Sequence, residues 1–264
     1  MRGDGAASAL DEAQPKRPLS AASEMRRIIP LARCANFRDL GGYSGLNGRK
    51  TRWGKLYRSM TPEYITPEDY AAVKDLGIRL VVDLRGPQFK TSGPLGEAPS
   101  RRVTPGRKRL FIMTDAERQA YAHMAPEEAL PIVLTHMGKT LARAASHIAA
   151  EPGPALVHCR LGKDRTGVFT AVLLRLLGVS EDDVIEDYLL SAPFIEEAHR
   201  LLADSGEPIF GGGESRVAQE PPSRAAIEAV LNELEGHYGG AEAYLRLHGL
   251  RKRDVAKLID GLLE

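Results

Sequence analysis

Only two cysteines occur among the 264 residues, and the surroundings of one of them, Cys159, are unusual. It lies in "VHCRLGKDRTG", between His158 and the run Arg160-Leu161-Gly162-Lys163-Asp164-Arg165-Thr166. A thiol there could be a nucleophile, a metal ligand, a redox group, or a small buried residue ending a strand. Zinc needs more ligands than Cys159 and His158 supply nearby. A Cys-x-x-Cys redox pair is absent, because the other cysteine is Cys34. A Walker-type phosphate loop needs Ser or Thr after Gly-Lys, whereas Asp164 follows Lys163. A purely structural cysteine leaves the Gly, Lys, Asp, Arg and Thr behind the sulfur unexplained.

The elements that must position this cysteine are legible on either side. "PALVHC" (154–159) is a continuous apolar run of strand length, and "RTGVFTAVLLRLLG" (165–178) is an apolar helix buried on most sides. A strand, a tight turn through Gly162 and a helix N-terminus bring backbone N–H groups to one point. That concavity suits a phosphate, and the same field stabilises a thiolate. Residues 160–166 are therefore the candidate phosphate-binding loop. Arg165 adds a planar two-pronged donor, and Thr166 could donate its hydroxyl to the sulfur.

Farther out, "TPEDYAAVKDLG" reads as a helix capped by Thr66 and ended by Gly77, and "IRLVVDLR" (78–85) as a buried strand. Residues 86–100 read as a loop, "RKRLFIMTD" (107–115) as a strand, and 116–150 as mostly helical. "SEDDVIEDYLLS" opens with a capping pattern, 204–222 reads as a loop, and helical stretches near 223–236 and 251–263 close the chain. Helix, glycine and apolar strand in succession predict an α/β fold with a mixed, largely parallel sheet flanked by helices. Its site would lie outside the strands' carboxyl ends. The segmentation is a flexible tail over 1–28 and one domain over 29–264.

"HCRLGKDRTG" resembles the Cys-x5-Arg signature of tyrosine and dual-specificity phosphatases, in the bacterial form His-Cys-x-x-Gly-Lys-Asp-Arg-Thr-Gly. "NFRDLGGY" (36–43), "LYRS" (56–59), "LGIRLVVDLR" (76–85), "DVIEDYLLS" (183–191) and the "YGG…YL…G" close (238–249) are similar to the same family. The resemblance thus covers residues 33–264. It implies a protein tyrosine phosphatase fold and a phosphocysteine mechanism. Cys159 attacks phosphorus in line, Arg165 and the loop amides hold the transferring group, an acid protonates the leaving oxygen, and water then hydrolyses the thiophosphate. No metal or organic cofactor is implied. His158 would orient the loop.

The acid is not located by spacing. Asp83, Asp115, Asp164 and Glu117 all lie near the expected sheet edge. The resemblance favours Asp115, a position that would also suit a helix N-cap. Asp164 could instead supply the proton, position the water, or pair with Lys163. Asp83 with Arg85 would brace the loop, and Arg38 with Asp39 would form a structural ion pair. Cys34 is expected to be inert, the alternative being a protective disulfide with Cys159.

Lys163 stands where a related phosphoinositide phosphatase also has Lys, with Arg160 read as a second cation at the rim, so the resemblance implies phosphoinositides beside phosphotyrosine proteins or peptides as substrates. The resemblance also implies a helical lid from residues 116–150 and 204–222. A phosphate-binding module without turnover and a phosphatase for a soluble small molecule are the rival classes. A deep pocket, able to bury an aromatic ring, would separate the latter.

Bulk properties bound the partners. The net charge of +1, from 36 basic and 35 acidic side chains, gives no overall attraction to nucleic acid or an acidic membrane. No apolar run approaches the roughly 20 residues needed to span a bilayer. The N-terminus has no apolar signal region. A cytoplasmic setting is expected, with export lacking a cleaved signal as the alternative.

Overall fold

The computed structural model describes residues 25–85, 101–103, 115–206 and 215–264, with the backbone path alone at 101–103 and 115–118. Among the described residues, five strands build one sheet: β1 (Arg38–Asp39), β2 (Leu56–Ser59), β3 (Leu80–Asp83), β4 (Arg101–Val103) and β5 (Ala155–His158). Their order is β1-β2-β5-β3-β4. β5 is central and runs parallel to β2 and β3; β4 is parallel to β3, and β1 alone is antiparallel. This is the mixed, largely parallel sheet expected.

The helices are α1 (Pro67–Val73), α2 (Asp115–His123), α3 (Pro126–Ala150), α4 (Asp164–Leu176), α5 (Glu181–Leu189), α6 (Ile195–Asp204), α7 (Arg216–Gln219), α8 (Arg224–Gly236), α9 (Ala241–Leu247) and α10 (Lys252–Leu262). Successive strand side chains point to opposite faces. Leu80, Val82, Ala155 and Val157 join the core built with α3, α4, α5, α8, α9 and α10. Val81 and Leu156 join a second core with Val73 of α1 and Ala198, Leu201 and Leu202 of α6. A sheet covered on both faces explains why its strands read as continuous apolar runs. α4 is buried from Thr166 to Leu174, which holds the helix behind the cysteine rigidly in the core.

Local chemistry sets the ends. Thr66 accepts from Asp69 N in a full capping box, and Gly77 ends that stretch at φ 61. Ser180 accepts from Asp183 N at the start of α5. The strand expected over 107–115 falls mostly on 104–114, outside the described residues, as does the 86–100 loop. Asp115 itself begins α2, and β4 lies earlier, at 101–103. α6 and α9 are additions to the sequence reading, and α7 is a short helix, capped by Ser215, inside the stretch read as a loop over 204–222. α6 carries its apolar residues 195, 198, 201 and 202 at helical spacing directly after Pro193, which masks the start. No helix among the described residues is long and apolar enough to cross a membrane.

Candidate active site

Cys159 is the first residue beyond β5, and α4 begins at Asp164. Because β2, β5 and β3 are parallel neighbours, the turn between them opens at their shared carboxyl edge. Three consecutive carbonyls of the turn are held on one side. Arg160 O accepts from Thr61 N at 3.0 Å. Leu161 O and Gly162 O accept from Asn36 Nδ2 at 3.3 and 3.2 Å, and Gly162 O also accepts from Arg58 Nη2 at 2.6 Å. In a trans peptide the N–H points opposite to the carbonyl. The amides of Leu161, Gly162 and Lys163 are therefore turned away from this brace, as a cradle for an anion requires.

Gly162 has φ +70, and a Cβ there would lie 2.4 Å from the carbonyl carbon and oxygen of Ser59, so only glycine fits. Lys163 caps α4 without any side-chain acceptor. The first-turn amides of α4 thus add to the same positive field.

The brace is itself held by a buried ion network. Asp187 on α5 accepts from Arg58 Nη1 at 2.6 Å and from Arg38 Nε at 3.2 Å. Arg38 also donates to Asn36 Oδ1 and to Ser191 Oγ. Arg38, Arg58 and Asp187 are at most 1% exposed. Burial alone would raise the Asp187 carboxyl; Arg38 and Arg58 outweigh it and bring it down to about 2. Burial, with Arg38 beside it, lowers Arg58 to about 10, so it stays protonated at neutral pH. Arg38 does not pair with Asp39, contrary to expectation. Asp39 instead accepts from Gly41 N and Gly54 N and shapes the glycine turn.

On the other flank, Asp83 and Arg85 pair with each other, Arg85 Nη2 donating to Asp83 Oδ2 at 2.9 Å and Nη1 to Glu63 Oε2 at 2.5 Å. Against the effect of burial, His158 and Arg85 hold the Asp83 carboxyl well below the usual carboxylate range. His158 is fully buried, with Nδ1 3.1 Å from Cys159 O and Nε2 3.9 Å from Asp83 Oδ2. It therefore locks the first carbonyl of the loop. Arg165 donates from Nη1 to Leu84 O at 3.0 Å, which fixes its guanidinium beside the loop.

Residues 29–264 match the sequence pattern of the tyrosine phosphatase family. The chain belongs to that family. It is 31% identical over 206 residues to a tyrosine-protein phosphatase of Nostoc commune, covering 74% of this chain and 69% of that one. It is 30% identical over 264 residues to a Cupriavidus necator protein named provisionally as a tyrosine-protein phosphatase, covering 92% and 91%. A triple specificity protein phosphatase, PtpB of Mycobacterium tuberculosis, is 26% identical over 165 residues, covering 57% and 54%. The chain is thus a phosphatase, a hydrolase of phosphate esters.

Several rim assignments in this phosphatase change. Lys163 is 1% exposed and faces inward: its Nζ donates to Val217 O and Glu220 O at 2.6 Å each, and to Ala218 O at 3.4 Å. It ties α7 to the loop. Arg160 is buried too, at 4% exposed. Sequence spacing shows that these cations flank the turn but not which way they point. Thr166 Oγ1 has no hydrogen-bond partner among the described residues, so its hydroxyl is not on the Cys159 sulfur. Burial pushes the Cys34 thiol up to about 12, which keeps it a neutral core residue.

Asp164 opens α4 with Lys163 Nζ 3.5 Å from Oδ1, and burial raises its carboxyl above the ordinary value despite Lys163 and Arg165. Asp115 begins α2; its side chain lies outside the described residues, as does that of Glu117.

One site residue went unread: Tyr121 on α2, 7% exposed. Burial raises its hydroxyl, and the charges of Asp164, Arg165 and Cys159 act on it as well, which puts Tyr121 in the neighbourhood of the turn. A tyrosine on a charged amphipathic helix gives no sequence signal of this. α2 packs on α7, and Cys159 is 3% exposed.

The Lys163 assignment has a direct check. Lys163→Met removes a buried ammonium that serves three carbonyls, and unfolding stability should fall by about 1–3 kcal/mol. Chemical denaturation measures this. A lysine serving only a lipid head group would leave the midpoint unchanged.

Proposed function

We propose that this phosphatase hydrolyses phosphotyrosine through a phosphocysteine on Cys159. The observation carrying this reading is the triplet of carbonyls at 160–162 drawn back to Thr61, Asn36 and Arg58, which turns the following amides toward a bound phosphoryl group. The Cys159 thiolate attacks phosphorus; the S–P bond forms as the bond to the tyrosyl oxygen breaks, and a carboxylic acid protonates that oxygen. Water then attacks phosphorus, the S–P bond breaks with its electrons returning to sulfur, and the carboxylate takes up the proton. Arg165 and the amides of residues 160–166 hold the phosphoryl oxygens, and His158 keeps the turn in register.

Asp164 is supported as the proton donor by its burial-raised carboxyl next to Arg165. Asp115 is the second candidate, on the resemblance to related enzymes. Asp164→Asn should cut turnover of a phosphotyrosine peptide by roughly 10²-fold or more but that of p-nitrophenyl phosphate by under about tenfold, because the activated leaving group needs no proton. Equal losses on both substrates would remove Asp164 from the role, and the same pair of assays on Asp115→Asn judges the alternative.

The site works closed and loads open: α2, which carries Tyr121, and α7, tied to Lys163, swing aside for substrate as a lid. Breadth beyond phosphotyrosine rests on the likeness to PtpB, whose name declares triple specificity. The burial of Arg160 and Lys163 removes both expected rim cations, and this favours phosphotyrosine over inositides. A reducing, cytoplasmic setting suits a thiolate nucleophile. Acid quenching during turnover, with mass spectrometry of the peptide carrying Cys159, tests the mechanism. Phosphate on that cysteine is the expected result, and turnover with the label elsewhere would refute it.

A further inference from the structure

We infer that Arg27, far upstream of the loop, is a positioning residue for the phosphate cradle, acting through Tyr43 and Asp187. The inference rests on the reading of residues 160–166 as the phosphate site. Arg27 is fully buried. Its guanidinium lies 3.7 Å from the centre of the Tyr43 ring and 5.0 Å from that of Trp53, and Nη1 donates to Gly41 O. Nε and Nη2 have no hydrogen-bond partner among the described residues, so the aromatic faces carry much of its solvation.

Arg26 covers Trp53 at 4.4 Å, and Gly41 and Gly42 leave no room for a Cβ against that indole. The stack is therefore close-packed, and Tyr43 has little freedom to turn. The Tyr43 hydroxyl donates to Asp187 Oδ1 at 3.1 Å, the oxygen that Arg38 Nε also reaches. The other oxygen, Oδ2, takes Arg58 Nη1 at 2.6 Å, and Arg58 Nη2 grips Gly162 O at 2.6 Å. From Arg27 to Gly162 every link is a buried contact of stated geometry. Arg27, Tyr43, Asp187 and Arg58 act on the cradle through Gly162.

Tyr43→Phe deletes one hydroxyl from this chain, and Arg27→Met deletes the cation while filling much of its volume. Inhibition by inorganic phosphate, kcat on a phosphotyrosine peptide, and the melting temperature are measured for each in the full chain. Leu234→Ala, in the α8 core, supplies a variant destabilised elsewhere. Both chain variants should weaken phosphate about three- to tenfold and lower kcat about tenfold, since small misplacements of positioning groups have large effects on rate. Leu234→Ala, with an equal or larger loss of melting temperature, should keep phosphate inhibition within about twofold of wild type. Arg27→Lys keeps a cation over the rings and should recover most of the loss.

Wild-type phosphate inhibition and kcat in Tyr43→Phe and Arg27→Met would overturn the inference, as would equal weakening by Leu234→Ala. If Arg27→Met does not fold, Tyr43→Phe decides. A wild-type protein that neither binds phosphate nor turns over would instead refute the reading of the loop.

Discussion

Cys159→Ser leaves the protein folded, keeps phosphate binding and lowers turnover by roughly 10³-fold or more. Serine matches cysteine in shape, and the cradle is braced through carbonyls at 160–162 rather than through the sulfur. Folding and the amide geometry therefore survive. On the proposed mechanism what is lost is the nucleophile: a serine hydroxyl is far less acidic than a thiol, and its oxygen attacks phosphorus poorly without a base. Binding moves the other way. The thiolate that the proposed mechanism requires would repel a phosphate dianion, and a neutral hydroxyl would not, so phosphate should bind the variant at least as tightly as wild type. Titration calorimetry with inorganic phosphate and turnover of a phosphotyrosine peptide separate the two effects. Loss of both together would mean that the substitution had disturbed the loop itself.

The second large effect concerns stability. Asp187→Ala strands Arg38 and Arg58, two guanidiniums that are 0% exposed. Removing one partner of a buried ion pair costs about 3–5 kcal/mol, because the remaining charge is left without compensation. Here one carboxylate serves two cations, and the upper end of that range is expected. Urea denaturation at neutral pH measures it. The same carboxylate makes wild-type stability depend on pH. Its folded-state pKa of about 2 lies below the ordinary value of 3.8, so the unfolded chain binds more protons between the two. Stability from this group is complete above the ordinary value and is lost as pH falls through about 2. In Asp187→Asn that segment of the pH profile should be shallower, with the depressed Asp83 carboxyl still contributing.

The α/β sheet and the cysteine turn were legible because both follow from local patterns. Leu156 and Val157 belong to an apolar run of strand length, Gly162 marks a tight turn, and Arg165 stands where a helix begins. The sulfur and the guanidinium thus come from a stretch of seven residues, Cys159 to Arg165. The supports were not legible, since each depends on a contact between distant segments. "NFRD" and "LYRS" were visible as segments, yet nothing local shows that Asn36 and Arg58 take loop carbonyls or that Arg38 chooses Asp187 over Asp39. Lys163 failed for the same reason: a lysine beside an active loop reads as a rim cation until α7 places three carbonyls around it. Tyr121 had no signal at all, because nearness to the turn is a property of where α2 packs.

The brace also bears on when a growing chain becomes active. Gly162 O is gripped by Arg58, 104 positions earlier, and by Asn36, 126 positions earlier. Arg58 is held by Asp187, 129 positions after it, and Lys163 by carbonyls more than 50 positions downstream. Contacts at such separations close large loops and form late in folding. A nascent chain that has just extruded Cys159 therefore carries a thiol without its cradle. Catalysis switches on only when residues 187 and 217–220 have docked, so turnover reports that the tertiary structure is complete.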